Sequence, residues 1–361
     1  MKMSMSLMLA LLALGAQPLL AQTNDEGFDP ASSAAGFSLF GDLHARYDSV
    51  SGLPSNRPDF DRAQLRLRYG ARYENASGFE FGAAIRASIG SDDNRDNRRN
   101  LDNERSDFAG LDELYVAWQF TPELQAIVGK TALPLALSPM LWDHDLRPIA
   151  AAISGEWETD GGFTIGATGG YFAGNHLYGD DSRIAAAQLS LRTRLSNSVE
   201  GELLLSYLGF EDLETLVQQQ LGRTNRVVRG ALVSDFRLFD AQLILRSRVA
   251  DWPLTVHLDG VHNSGADDLN EGGRLSVVLG DRRLPGGFEF GYAIERIQRD
   301  AVVAAFGDDE WWFKSRLHGY MPWVAYGINE AMSVRLAGFI ERRDDLQKHT
   351  KRVLLDFSWQ L

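Results

Sequence analysis

From Asp61 to Tyr73 every second side chain is apolar: Ala63, Leu65, Leu67, Tyr69, Ala71 and Tyr73. The residues between them are polar and mostly basic: Arg62, Gln64, Arg66, Arg68, Gly70 and Arg72. A period of two sends the two sets to opposite faces of one strand, so one face suits hydrocarbon and the other needs water or counter-ions. A strand of a soluble sandwich can alternate in this way too. What separates the two cases is that the pattern recurs to Leu361 and follows an export signal. That combination points to an all-β transmembrane antiparallel up-and-down β-barrel with a wet lumen.

The export signal occupies residues 1–21. Lys2 supplies a positive start, Leu7 to Leu14 an apolar run, and Ala21 the cleavage position, with cleavage after Ala16 as the alternative. The apolar run is too short to span a bilayer as a helix, and no other stretch of about 18 apolar residues exists, so helical insertion is excluded. The exported chain has no cysteine, which excludes a disulfide scaffold, a lipid-anchored N-terminus and a thiolate metal site. A net charge of −13 argues against a nucleic-acid partner. The acidic residues concentrate in loop-like segments such as 91–107, 179–182 and 308–310, so net charge does not describe the lumen. Hydrophobic residues make up 44% of the chain, ordinary for a barrel in which only the outward half of each strand meets lipid.

Residues 22–36 read as a short periplasmic segment and 37–361 as the barrel. Strands separated by turn chemistry cover nearly all of it, beginning with 37–48, 60–74 and 79–90, with the tight turn Asn75-Ala76-Ser77-Gly78 between the second and third. Residues 226–249 are ambiguous, because they can hold two strands around Phe239-Asp240 or one. Both ends of such a barrel belong in the periplasm, so the strand number is even. Reading 210–233 as one long outer loop restores the parity and gives about 16 strands, with about 18 as the alternative. The aromatics Tyr47, Tyr69, Tyr73, Trp118, Phe120, Trp311, Trp312, Trp323, Tyr326, Phe357 and Trp359 fall near strand ends, where interfacial girdles belong. Val353, Leu355, Phe357, Trp359 and Leu361 share one phase, the pattern of a barrel-closing strand.

Three segments carry a family resemblance. Gly129-Lys130-Thr131-Ala132-Leu133-Pro134 leads into Leu141-Trp142-Asp143-His144-Asp145-Leu146-Arg147-Pro148, with its Trp-Asp-x-Asp-Leu element. Pro253 to Asn263, and Gly291 to Arg296 with Asp300 to Asp309, follow in order. Together they resemble a family of bacterial outer-membrane porins whose members are mostly of unassigned substrate. The resemblance implies an outer-membrane channel for small hydrophilic solutes, partnered by lipid and the barrel-assembly machinery, with a homotrimer as the expected oligomer. Many members carry Asp-Ser-Asp after the position of Phe306; Gly307-Asp308-Asp309-Glu310 departs from that, so no ion-binding role is carried over.

Two constellations bear on function. The ladder Arg62, Arg66, Arg68 and Arg72, with Arg192, Arg194, Arg246 and Arg248 in the inward phase of later strands, forms a positive wall that would favour anions. The alternative is that these arginines pair with inward carboxylates such as Glu80, Glu113, Glu200 and Glu202 and serve to stiffen the wall. The segment 134–148, with prolines at both ends and Pro139 within, cannot continue a strand. Folded inward, its Asp143, His144, Asp145 and Arg147 would set the narrowest radius; otherwise it is a rim loop. No nucleophile elbow, His-Glu-x-x-His or P-loop occurs, so the reading is a channel without cofactor or metal. A barrel enzyme and a secreted all-β binding protein are the rival readings.

Overall fold

The computed structural model describes residues 36–54, 57–91, 107–174, 181–218 and 221–361. The expected signal segment and nearly all of the segment 22–36 lie outside these residues. Sixteen strands close into one antiparallel barrel. They are β1 (Gly36–Ser51), β2 (Phe60–Glu74), β3 (Phe79–Gly90), β4 (Phe108–Thr121), β5 (Leu124–Lys130), β6 (Ile149–Glu158), β7 (Phe163–Ala173), β8 (Arg183–Ser196), β9 (Val199–Glu211), β12 (Arg237–Val249), β13 (Trp252–Asn263), β14 (Glu271–Gly280), β15 (Phe288–Ile297), β16 (Leu317–Gly327), β17 (Met332–Arg343) and β18 (Thr350–Gln360). A two-stranded ribbon, β10 (Val227–Val228) and β11 (Ala231–Leu232), and a short helix (Glu214–Gln218) lie in the connection between β9 and β12. The even count of 16 and the single strand after a long loop both agree with the parity argument.

Alternation decides which way each strand faces. On β2, Leu67, Tyr69 and Tyr73 are exposed outward, while Arg62 and Arg68 are buried in the lumen. Closure comes from β18, which pairs with β17 on one side and with β1 on the other, from Asp42↔Gln360 to Ser51↔Lys351. No backbone edge of the barrel is then left unpaired, which is the condition for a sheet to cross a membrane. Among the described residues no helix is long and apolar enough to cross one.

One end of the barrel carries short turns. In the β2–β3 turn the Asn75 carboxamide oxygen accepts from the backbone N–H groups of Ser77 and Phe79, and Gly78 takes a left-handed φ of 76°. Gly78 supplies that conformation without a Cβ penalty. The other end carries the long connections, and among the described residues three of these turn inward. Residues 131–148 and 298–316 pack together inside the barrel around Trp142, Val302 and Phe306, joined by Leu213, Leu216, Leu221 and Phe236 of the connection between β9 and β12. The apolar core therefore sits in the long-loop half of the lumen, against the inner faces of β6–β9, β12, β13 and β15–β18. Toward the short turns the lumen is open: Arg194 and Arg248, both in the inward phase, are exposed there.

The expected girdle needs a correction. Trp311 is 3% exposed within the inward 298–316 connection, and Trp312 packs beside it. Trp323 faces the lumen, donating from Nε1 to Glu289 at 2.8 Å with the Arg335 guanidinium over its ring. Trp311 and Trp312 precede a strand that starts only at Leu317, and Trp323 shares the phase of Met321 and Ala325, which point inward.

Candidate functional site

The segment 131–148 leaves the wall because β5 stops after seven residues at Lys130. A hydrogen bond from Thr131 N to the Pro148 carbonyl at 3.1 Å closes its neck. Its tip is tied to the far wall. Ala136 N donates to Gln188 Oε1 at 3.0 Å, and the Ala136 carbonyl accepts from Gln188 and Gln242 at 2.9 and 3.0 Å. Leu135, Leu137, Met140, Leu141, Trp142 and Leu146 are all buried, so the segment is packed inside the barrel and not laid on its rim.

The connection 298–316 lies against it. Trp142 stacks on Phe306 with ring centroids 5.4 Å apart, and Phe306 stacks in turn on Phe210. Asp143 N donates to the Phe306 carbonyl at 2.7 Å, and Asp308 N to the Pro139 carbonyl at 2.9 Å. These contacts bring Asp143 and Asp145 beside Asp308, Asp309 and Glu310. The 212–236 connection braces the pair from the long-loop side. Asn225 donates to the Arg299 and Val302 carbonyls, both at 2.8 Å, and accepts from Ala304 N.

Facing this acidic ridge is the basic wall of β1, β2, β17 and β18. Arg66 reaches Asp145, and Arg68 donates to Asp42 at 2.7 Å with Asp145 at 3.6 Å. Arg46 bonds Asp356 at 2.6 Å and Glu310 at 3.0 Å. Arg335 grips both Glu310 oxygens at 2.6 and 2.9 Å. Arg352 holds Asp48 at 2.8 and 2.9 Å and donates to the Asp309 carbonyl at 2.5 Å. Bidentate and charge-assisted bonds of this kind fix geometry as well as charge. Between ridge and wall remains a cavity of about 340 Å³, lined by Asp42, His44, Arg46, Arg66, Arg68, His144 and Asp145 among others.

Of the expected ladder, Arg66 and Arg68 face this cavity, as do Asp143, His144 and Asp145. Arg62 is withdrawn into a buried pair with Asp48 at 2.7 Å. Arg72 lies over the Phe40 ring, nearer the short turns. Arg147 points away from the cavity, to Glu113 at 2.9 Å and to the His144 carbonyl at 2.6 Å. Arg192, Arg194, Arg246 and Arg248 stand at the short-turn mouth. There Arg192 pairs with Glu156 at 3.0 Å, Arg246 with Glu202 at 2.7 Å and Glu200 at 3.3 Å, and Arg248 with the Asp251 carbonyl at 2.6 Å. Of the four ladder arginines on β2, two line the cavity, and the four inward-phase bases of the later strands stand apart from it.

Other charged residues escaped the sequence reading. Asp112 is one. The β3–β4 register slips between Ala84 and Ile85, which leaves Asp112 without an opposite residue, so it and Glu113 are both buried in the lumen. A bulge re-aims a side chain in this way, and strict alternation would have sent Asp112 outward. Arg335 and Arg352 sit in the inward phase and were legible in principle. Glu310 was not, since nothing local says that 298–316 folds inward.

The carboxyls on the ridge titrate apart. Burial and the neighbouring charges of Asp145 and Asp308 push Asp143 well above the usual carboxylate range. Burial and Glu310 raise Asp308 likewise. Asp145 and Glu310 are also buried, but Arg66 and Arg68 hold the first well below that range, and Arg335 and Arg46 hold the second below it. Burial lowers the Lys314 ammonium behind them. Opposed shifts of this kind follow from whether a buried carboxyl has a cation or another carboxyl for a neighbour.

The barrel can be compared with solved structures. OprB of Pseudomonas putida, at high pH, superposes with a TM-score of 0.61 at 11% identity, over 90% of this chain and 94% of that one. This chain has the porin fold. A BenF-like porin from Pseudomonas fluorescens Pf-5 gives 0.54 at 11% identity, over 90% and 98% of the two chains. OmpF of Salmonella typhi, solved with daunomycin, gives 0.53 at 10%, over 91% and 98%. No family model and no curated protein matches the sequence, so the porin likeness is one of fold.

Proposed function

We propose that this chain is an outer-membrane porin through which small hydrophilic solutes and ions diffuse passively. One observation carries the reading. A closed 16-stranded barrel, open at its short-turn mouth, is narrowed by two inward connections to a charged gap between Asp143–Asp145 and Asp308–Glu310 on one side and β1, β2 and β18 on the other. An arrangement of fixed opposite charges across a gap orients dipolar solutes and passes ions of both signs. The pairing of Arg66 and Arg68 with Asp42 and Asp145 argues for a weak ion preference in place of a strong anion preference.

Reversal potentials across planar bilayers in asymmetric salt test this. At neutral pH the expected potential is small. As the pH falls toward the ordinary carboxylate range near ~4, Asp143 and Asp308 take up protons first, while Asp145 and Glu310 remain ionised. The gap loses negative charge, and the preference shifts toward anions. A preparation of folded barrels that conducts no ions would contradict the channel reading, and a shift toward cations on acidification would contradict the charge assignment.

A further inference from the structure

Residues 281–287, between β14 and β15, form the longest of the described short-turn connections. Their conformation is fixed locally. Gly280 leaves β14 at a φ of 95°, and the Asp281 carboxylate accepts from the backbone N–H and the guanidinium of Arg283, each at 2.9 Å. The turn docks on the end of β16: Gly286 N donates to the Gly327 carbonyl and Gly327 N to the Gly287 carbonyl, both at 2.8 Å. A Cβ on Gly327 would meet the Arg282 and Leu284 carbonyl oxygens at 2.2 and 2.4 Å, so this close approach requires glycine. The docked turn brings Arg282 to the short-turn end of the charged gap, where it lines the same cavity as Asp42, Trp359 and Gln360.

Arg282 differs from the other arginines of that cavity. Arg46 bonds Asp356 at 2.6 Å, Arg68 bonds Asp42 at 2.7 Å and Arg66 reaches Asp145. Among the described residues the one ion-pair partner of Arg282 is Glu289, at 3.9 Å, and the other Glu289 oxygen accepts from the Trp323 indole at 2.8 Å. A contact that long, at a wet mouth, neutralises little of the guanidinium charge. The cations of the gap are thus cancelled in place except at its short-turn end. A fixed charge at one mouth of a narrow water-filled pore concentrates the opposite ion there. Its reach is about one Debye length, ~10 Å at 0.1 M salt.

We infer that Arg282 determines the direction in which current passes more easily, by concentrating anions at the short-turn mouth of the gap. The inference rests on the channel reading above and deepens it, and the test separates the two. Single channels are recorded after insertion from one side into a neutral planar bilayer in symmetric potassium chloride. At ~0.1 M salt, wild-type currents at equal and opposite voltages should differ by roughly 1.5-fold or more, and at ~1 M, where the Debye length falls to about 3 Å, they should become nearly equal. Arg282→Gln should bring the ratio close to one at low salt while the channel still conducts. Arg282→Lys should keep the wild-type ratio, because the charge stays, and Arg282→Glu should invert it. An unchanged ratio in Arg282→Gln would overturn the inference, and loss of the ratio in Arg282→Lys would reduce Arg282 to a support of the turn. If Arg282→Gln yields no barrel, the wild-type salt series still decides: equal currents at ~0.1 M, or a ratio that persists at ~1 M, would overturn it. Folded wild type that gives no single-channel current at all would instead sink the channel reading.

Discussion

Removing residues 353–361 abolishes barrel assembly. β18 supplies the partner for both β17 and β1, so its loss leaves two rows of backbone N–H and C=O groups facing hydrocarbon. Each unsatisfied group costs several kcal/mol there, and several are exposed on each strand. The same truncation removes Asp356, leaving the buried Arg46 without its 2.6 Å partner. Arg46 keeps Glu310 at 3.0 Å, so this loss is small beside the open edge. The truncated chain is expected to be degraded or to aggregate, with no heat-modifiable band in the membrane fraction. Normal heat-modifiable barrel from this truncation would refute the closure argument. Asp356→Leu separates charge from closure: that barrel should still form, with altered conductance, because Leu keeps the backbone ladder and removes only the carboxylate shared by Arg46 and Arg335.

Deleting residues 137–146 is expected to raise single-channel conductance by at least about twofold, since it removes one of the two connections that form one side of the narrow gap. The deletion takes out Trp142, which stacks on Phe306, and the Pro139 carbonyl that accepts from Asp308 N. The 298–316 connection should nevertheless stay folded inward. Asn225 and the paired Arg46, Arg335 and Arg352 hold it from the other side. The conductance gain should therefore be partial, and a second deletion within 298–316 should add to it. Unchanged conductance in a folded 137–146 deletion would mean that ions pass elsewhere.

How much of this was legible in the sequence depends on the range of the forces involved. Strand phase is a nearest-neighbour property, so the alternation at Arg62–Tyr73 and at Val353–Leu361 read directly as inward and outward faces. Parity carried the strand count, because a barrel whose two ends lie on one side of a membrane needs an even number, and β12 accordingly is one strand. The prolines of 134–148 cannot continue a strand, and none runs between Lys130 and Ile149. The connection 298–316 was opaque because its burial is set by partners far away in sequence: Asn225, Trp142 and Arg352. Its run Ala301–Phe306 has no periodicity of its own that tells a lumen plug from a surface loop. Asp112 was missed because a bulge breaks the rule used to find lumen residues. Trp311, Trp312 and Trp323 were misread because a girdle and a lumen lining can place the same residue type near a strand end.

The central claim is that ions pass between the inner face of β1–β2 and the acidic ridge. The chain has no native cysteine, so a single introduced thiol reports without background. The most direct measurement is single-channel recording of Arg66→Cys and Leu67→Cys barrels during addition of a water-soluble, positively charged thiol reagent. Arg66 lines the gap, while Leu67 is 42% exposed on the lipid-facing side. A stepwise fall in current at position 66, with no change at 67, is the result expected here. Equal modification of both positions, or modification of 66 without any change in current, would contradict it.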